Sequence, residues 1–415
     1  MNQELSVKLA GLPRLDPANR QTAPCKVCGH KAFLFDVVDF NKSCSQPEIY
    51  PFGASGVPVP YLCCSVCHFI FTPFLDDWTP DEFAQFIYNE DYVKVDGEYA
   101  GVRPEREAAA MARRLKGHGH LRILDYGSGS GLFAQGLRSR GFDAVQTYDP
   151  FSSPARPQGR FDVITCFEVL EHTIAPRACL DDIASFLEPG GCILFSTGIQ
   201  LADIDVLRAN WWYIAPRNGH VSIYSLNSLA RLGRERELTL RAGDGLLGYG
   251  DSAPSPASRD ILAGVGRTVQ FFLLSAPSPG KELPPDQRRL WHGPEGVNGG
   301  GTPYRWTANS DIAWTILAQQ LEPCELIISI PIQNEVQPGF ADRCRVQIGT
   351  QSAVLTRHAE GLRASLIIKE PVDAVVRLVM PPLLRPCDLR SVNDARPLGL
   401  AIATESAHLN SSTQL

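Results

Sequence analysis

Apolar and polar positions alternate in three different rhythms along this chain. Up to about Phe74 the apolar residues come in short runs set off by paired cysteines; Lys31–Phe40 (KAFLFDVVDF) and His68–Phe74 (HFIFTPF) each follow a CxxC turn and predict short strands. A helical connector follows. Thr79-Pro80-Asp81-Glu82 offers an N-cap, a proline at the first helical position and a glutamate three residues on, and Phe83, Phe86 and Ile87 then recur on one face. A second helix is predicted over Glu105–Lys116.

From Leu121 the rhythm becomes strand, turn, helix. Leu121–Leu124 predicts a buried strand. The helix after it places Phe133, Ala134 and Leu137 on one face and closes at Gly141. Ala144–Tyr148, Phe161–Cys166 and Cys192–Ser196 predict three more strands, and Pro176–Leu187 a helix with Leu180, Ile183, Ala184 and Leu187 inward. Strands alternating with helices imply a parallel α/β sheet with right-handed crossovers. Beyond about Gly280 the helices vanish. Stretches rich in proline and glycine (283–286 and 293–303) lead into strand-like segments at Cys324–Ile332, Cys344–Ile348, Leu362–Ile368 and Val372–Val379. That texture predicts an antiparallel β-sandwich. Three domains are expected, at residues 1–78, 79–280 and 281–415, with no internal repeat.

Composition narrows the function classes. A net charge of −6 over 415 residues argues against a broad nucleic-acid footprint. Residues 1–19 lack a continuous apolar core and carry Pro13 and Pro17, which is unlike a signal peptide, and no apolar run approaches the roughly 20 residues needed to span a bilayer. A cytoplasmic protein is expected, with its oligomeric state open. Of twelve cysteines, six (Cys25, Cys28, Cys44, Cys63, Cys64 and Cys67) precede residue 70. In a reducing compartment two CxxC pairs indicate a metal shell rather than disulfides. Cys25, Cys28, Cys64 and Cys67 would give zinc a closed, structural tetrahedron, with Cys63 and His68 as alternative ligands. The 35 residues between the pairs require a ribbon with an inserted loop.

The strongest chemical signal is Asp125-Tyr126-Gly127-Ser128-Gly129-Ser130-Gly131. Glycines in a strand-to-helix turn let backbone N–H groups approach a ligand and adopt positive φ at little cost. A dinucleotide turn would want a third glycine where Leu132 stands. An acid two residues before the first glycine suits a ligand with an ammonium group, and Asp149, ending the next strand, suits ribose hydroxyls.

ILDYGSGSG, YDP, FDVITCFEVLEH and LEPGGCILFSTG, in that order, resemble the class I S-adenosylmethionine-dependent methyltransferases. The similarity is greatest to the branch holding ubiquinone-type O-methyltransferases and bacterial sugar methyltransferases, over about residues 80–240. The resemblance implies a Rossmann-like sheet with Gly127, Gly129 and Gly131 beside the methionine part of the cofactor, Asp125 near its amino group and Asp149 on its ribose. Glu168 is placed with the cofactor residues. Only Phe151–Arg160 separates Asp149-Pro150 from the next strand, too short for the usual extra helix and strand, so Phe151 is left to stack on adenine or to serve as a plain loop residue.

A methyl donor of this kind needs an aligned nucleophile and a proton acceptor. Glu168, Glu171 and His172 follow a strand at the carboxyl edge of the sheet. His172 suits a general base, and on a helix Glu168 and His172 would share a face. Structural, catalytic and magnesium-binding roles all remain open for this group, the last implied by the ubiquinone branch. His220 is the second candidate base; Trp211, Trp212 and Tyr213 before it form either a stacking wall or a core cluster. Trp291, Trp306 and Trp314 carry the same two readings in the last third. Leu384-Arg385-Pro386 through Arg396-Pro397-Leu398-Gly399 resembles the tail of accessory sandwiches beside bacterial glycosyltransferases. The cysteine region resembles the zinc domain of sugar C-methyltransferases. Together these point to methyl transfer to a hydroxyl or carbon of a saccharide, as sugar nucleotide or surface glycan, with other small hydroxylated metabolites or an inactive scaffold as the competing readings.

Overall fold

The computed structural model describes residues 4, 22–44, 51–98, 101–151, 155–201, 203–243, 245–273, 291–295, 304–308, 310–321, 323–358, 361–370, 372–385 and 398–403. The predicted features at 1–19, 283–286 and 386–397 lie outside them, apart from Glu4, as does most of 293–303. The chain forms two compact units, Met1–Thr268 and Val269–Leu415.

The first unit opens with β1 (Thr22–Pro24), β2 (Lys31–Asp39), β3 (Pro58–Cys64) and β4 (Ile70–Phe71). They pair antiparallel in chain order. A register shift between Leu34 and Asp36 breaks the two-residue alternation of β2, so Ala32, Phe35 and Val38 are its buried positions. α1 (Pro80–Phe86) starts with the reciprocal cap expected from its sequence: Glu82 N donates to Thr79 Oγ1, and Thr79 N to Glu82 Oε2. Its Phe83 and Phe86, with Ile87, enter one apolar cluster with Phe40, Tyr61 and Trp78. The same cluster takes Trp211, Tyr213, Ile214, Val221 and Ile223 from far along the chain.

α2 (Val102–Arg114) leads into β5 (Ile123–Tyr126), α3 (Leu132–Arg138), β6 (Val145–Tyr148), β7 (Phe161–Phe167), α4 (Pro176–Ser185) and β8 (Leu187–Ser196). β5 pairs parallel with β6 on one side and β7 on the other, and β7 pairs parallel with β8. After β9 (Ser222–Ile223) and α5 (Leu226–Arg234) the chain returns as the hairpin β10 (Leu238–Gly243) and β11 (Leu246–Asp251), with β11 antiparallel to β8. The order β6-β5-β7-β8-β11-β10 is the Rossmann-like sheet expected from the sequence, and among the described residues β6 is its edge. α2, α3 and α6 (Pro256–Ala263) cover one face through Ala108, Met111, Phe133, Leu137, Ile261 and Leu262.

β9 does not join that sheet. Its two residues pair with Ile70–Phe71 and complete the cysteine-bearing sheet. A strand this short leaves no alternation to read, which is why the pairing was not expected.

The second unit is a sandwich with one core. In one sheet Asp311–Leu321, Val372–Val379, Arg345–Ile348 and Gln351–Val354 follow one another antiparallel. In the other, Cys324–Glu335 pairs antiparallel with Gly361–Ile368 and Leu400–Ala403, and parallel with Val269–Leu273. Leu362, Ala364, Leu366 and Ile368 alternate inward, as the sequence pattern requires. Among the described residues no helix is long and apolar enough to cross a membrane.

Candidate functional site

β5 is paired on both sides, with β6 and with β7, so the side chains at its carboxyl end are walled by strands. Asp125 is only 4% exposed. Its Oδ1 accepts from Thr165 Oγ1 at 3.4 Å, while Oδ2 is buried with no hydrogen-bond partner. Burial pushes its carboxyl up to about 7. The turn that follows holds Gly127, Gly129 and Gly131 at φ of 74°, 48° and 75°. At Gly127 a Cβ would also lie 2.3 Å from Val169 Cγ2, so nothing larger fits. Asp149 closes the turn from the neighbouring strand end: its Oδ2 accepts from Gly129 N at 2.9 Å, its Oδ1 from Phe151 N at 2.8 Å. Phe151 is largely exposed.

Two further acids face this end. Burial raises Glu168 to about 7, with the Glu171 charge second; burial likewise raises Glu107 to about 7, with the Glu168 charge second. Arg103, the nearby cation, is engaged with Asp96 at 2.7 Å. Glu107, on α2, escaped the sequence reading because a single glutamate on a charged helix carries no pattern.

EVLEH does not form the helix on which Glu168 and His172 would share a face. Glu168 sits at φ 51° and the chain then makes a single 3-10 turn, Leu170–His172. The left-handed residue ends the strand abruptly and sends the following residues inward. Glu168 Oε1 accepts from Ser196 Oγ at 2.8 Å. Glu171 is fully buried: Oε1 accepts from Tyr213 Oη at 2.6 Å and Oε2 has no partner. Its carboxyl is raised by burial.

His172 Nδ1 lies 3.2 Å from Gly219 O, and His220 Nδ1 lies 2.9 Å from Tyr213 O. The two rings meet at 5.1 Å between centroids, and Tyr88 stands edge-on to His172 at 5.7 Å. Gly219 is required there: at φ 80°, an added Cβ would come within 2.6 Å of Tyr88 Oη. Burial lowers both imidazoles, His220 further than His172, so both are neutral near pH 7. One ligand-capable atom from each of Glu171, His172 and His220 falls within 4.8 Å of the others, a donor set able to share a proton or hold a metal ion. Trp211 and Tyr213 are core residues, whereas Trp212 is 51% exposed.

The four cysteines converge as expected. Cys25 Sγ lies 3.5 Å from Cys67 Sγ, Cys28 Sγ lies 3.4 Å from Cys64 Sγ, and all four fall within 4.8 Å of one another. Val27 N points at Cys25 Sγ and Val66 N at Cys64 Sγ, each at 3.4 Å, the N–H to sulfur contacts of two knuckles. Cys63 and His68 stand outside the group. Four buried sulfurs fit a thiophilic dication, which would relieve the cost of ionising them there. The knuckles are gripped from the α/β sheet side. Arg177 donates to Val27 O, Asn227 to Val66 O, Ser225 to Cys67 O and Gln200 to His68 O.

In the second unit Trp291 and Trp306 belong to the sandwich core, so the core reading holds for them rather than ring stacking on a ligand. The side chain of Trp314 lies outside the described residues.

Residues 98–242 match a family model described as "Methyltransferase domain". A ubiquinone biosynthesis O-methyltransferase from Alkalilimnicola ehrlichii is 29% identical, covering 33% of this chain and 68% of that protein. One from Burkholderia ambifaria is 29% identical, and the chain spans about half its length, 48%, using 20% of its own. An O-methyltransferase family structure from Burkholderia thailandensis is 15% identical, covering 43% of this chain and 70% of that one, with a TM-score of 0.27, too loose a superposition to add to the strand order. The chain carries a class I S-adenosylmethionine-dependent methyltransferase domain, beside an antiparallel sheet that holds a four-cysteine cluster.

Proposed function

We propose that the whole protein transfers the methyl group of S-adenosylmethionine to a hydroxyl of a small acceptor. The observation that carries this is the buried, unpartnered Asp125 Oδ2 at the end of β5, beside three glycines of positive φ. An orphaned buried carboxylate oxygen is costly unless a cation answers it, and the amino group of the cofactor is such a cation. Gly127, Gly129 and Gly131 would cradle its methionine end, Asp149 its ribose and Phe151 its adenine. When bound, the cofactor supplies an electrophilic methyl group on a sulfonium.

The chain's own residues then need to hold the acceptor and take its proton. His172 is the base: its Nδ1 is engaged with Gly219 O, which leaves Nε2 bare, and as a residue it is half-buried where His220 is buried. His220 and Glu171 are buried behind it, and one ligand-capable atom from each lies within 4.8 Å of one from His172. Exposed Trp212 walls the acceptor side. Cys25, Cys28, Cys64 and Cys67 would hold a structural zinc.

A hydroxyl acceptor is supported by the O-methyltransferase activity named for the relatives. A saccharide, as sugar nucleotide or glycan, is the first acceptor class to test, on the resemblance of the cysteine module; Trp291 and Trp306 do not contribute to that choice. The deciding experiment is labelled methyl transfer to a panel of sugar nucleotides, glycans and phenolic metabolites, run beside S-adenosylhomocysteine calorimetry. Label in a hydroxylated product supports the reading; absence of S-adenosylhomocysteine binding would leave an inactive scaffold.

A further inference from the structure

Asp39 ties together the described residues that follow β2 and those that precede β3. The Asp39 carboxylate accepts from Asn41 N (2.8 Å), Ser55 N (2.9 Å), Ser55 Oγ (2.9 Å) and Gly56 N (2.7 Å), and the Asn41 amide donates to Gly53 O at 2.9 Å. Four donors on one carboxylate fix the chain path strongly. Phe40, Asn41, Lys42 and Ser43 are all buried on this platform.

Lys42 is 5% exposed, and among the described residues no carboxylate pairs with it. Its Nζ donates instead to Trp211 O, at 2.9 Å, and to Ile214 O. An ammonium buried on two carbonyls is an expensive arrangement. Burial pulls it down to about 8. Its position explains what the expense secures. The two carbonyls flank Tyr213, and Tyr213 is the junction of the histidine end: its carbonyl takes His220 Nδ1 and its hydroxyl donates to Glu171 Oε1. The same loop is stitched on twice more, Arg217 N donating to Lys42 O at 3.1 Å and Cys44 N to Asn218 Oδ1 at 2.8 Å. Cys44 Sγ reaches within 3.7 Å of His220 Nδ1.

We propose that Lys42 is a positioning residue for methyl transfer, clamping the peptide on both sides of Tyr213 so that Tyr213 holds His220 in one tautomer and Glu171 in one orientation. This rests on the methyl-transfer reading of the histidine end. It makes the cysteine-bearing module the acceptor-side half of the active site rather than an appended docking domain. His220 is faced by Lys42 and Cys44 from the module, His172 and Glu171 from the turn after β7, Arg103 from α2, and Tyr213 and Tyr61.

The test uses the full zinc-loaded chain with S-adenosylhomocysteine as probe, isotope-labelled histidine spectra, and the variants Lys42→Met and Lys42→Gln. In the wild type His220 carries its proton on Nδ1. Lys42→Met mixes the tautomers and lowers kcat about 10- to 100-fold with the KM for S-adenosylmethionine within about 2-fold, the size expected from a misoriented base. Lys42→Gln, which keeps a donor, falls between. S-adenosylhomocysteine affinity stays unchanged in both. A wild-type His220 protonated on Nε2, or a Lys42→Met protein with unaltered histidine signals and kcat, overturns the proposal. Should Lys42→Met fail to fold, the wild-type tautomer and Lys42→Gln decide it. Failure of the wild type to transfer methyl to any acceptor sinks the methyl-transfer reading instead, while the histidine spectra still report whether the clamp holds.

Discussion

The two ends of the proposed active site are built in opposite ways. The glycine-turn end takes its three glycines and both aspartates from one stretch, residues 123–151, where Asp149 ties to Gly129 across 20 positions; its most distant side-chain tie, Thr165 to Asp125, spans 40. The histidine end is assembled from segments far apart: Glu171 to Tyr213 spans 42 positions, His172 to Gly219 spans 47, and Cys44 to His220 spans 176. A cofactor shared by many enzymes can be held by a local device that travels intact. An acceptor-side apparatus is a tertiary product, and here it leans on the cysteine-bearing module. The glycine turn has no such dependence, so the two ends should respond differently to the same insults.

Loss of the metal should have the largest effect. The Cys25→Ser protein is expected to lose stoichiometric zinc and methyl transfer together, because a structural zinc site contributes on the order of 10 kcal/mol to the fold that surrounds it. Affinity for S-adenosylhomocysteine should fall far less. Metal analysis, calorimetry and a transfer assay on one preparation check this; retained zinc would break the four-cysteine assignment, and an equal loss of cofactor binding would erase the contrast between the ends.

Next in size is the base. His172→Ala should lower kcat by roughly 10²- to 10⁴-fold and leave S-adenosylhomocysteine binding alone. Because burial lowers both imidazoles, the neutral base persists on the acid side, and the wild-type rate should hold below the ordinary histidine range before it falls. A pH-rate profile that breaks at or above that range would point to a different base. The converse substitution, Asp149→Ala, should weaken S-adenosylhomocysteine binding about 10- to 100-fold, the worth of one or two hydrogen bonds to a charged acceptor, with kcat at saturation nearly kept. Unchanged affinity would remove Asp149 from the ribose.

The same contrast explains what could be read in the sequence. The glycines, Asp149 and the CxxC pairs stand at fixed short spacings, and the physics they serve, positive φ and tetrahedral thiolate geometry, is local. The alternation in Gly361–Ile368 announced its sandwich for the same reason. Lys42 and Glu107 gave no signal and Tyr213 showed only as an aromatic wall or core residue, since each acquires its role from a neighbour brought up by folding. EVLEH misled in a specific way: its spacing is helical, but Glu168 leaves the strand left-handed and no helix forms. Trp291 and Trp306 were legible as large apolar residues and no further, since burial depends on the partner strands.

The smallest effect separates the ends by charge. Glu107, Asp125 and Glu168 are each pushed up to about 7, by burial first, so near neutral pH they are partly protonated. A cation settling among them favours the ionised forms and lowers those values, so binding must release protons between about pH 6 and 8. The neutral histidines have no proton to give in that window. S-adenosylmethionine carries the sulfonium charge that S-adenosylhomocysteine lacks, so it should release more, a fraction of one proton. Calorimetry in two buffers of different ionisation enthalpy measures the difference directly. The release should fade above about pH 9, where all three acids are already ionised, and should shrink in Glu107→Gln. Equal release by both ligands would place the sulfonium away from these acids and return Glu168 to a purely structural bond with Ser196.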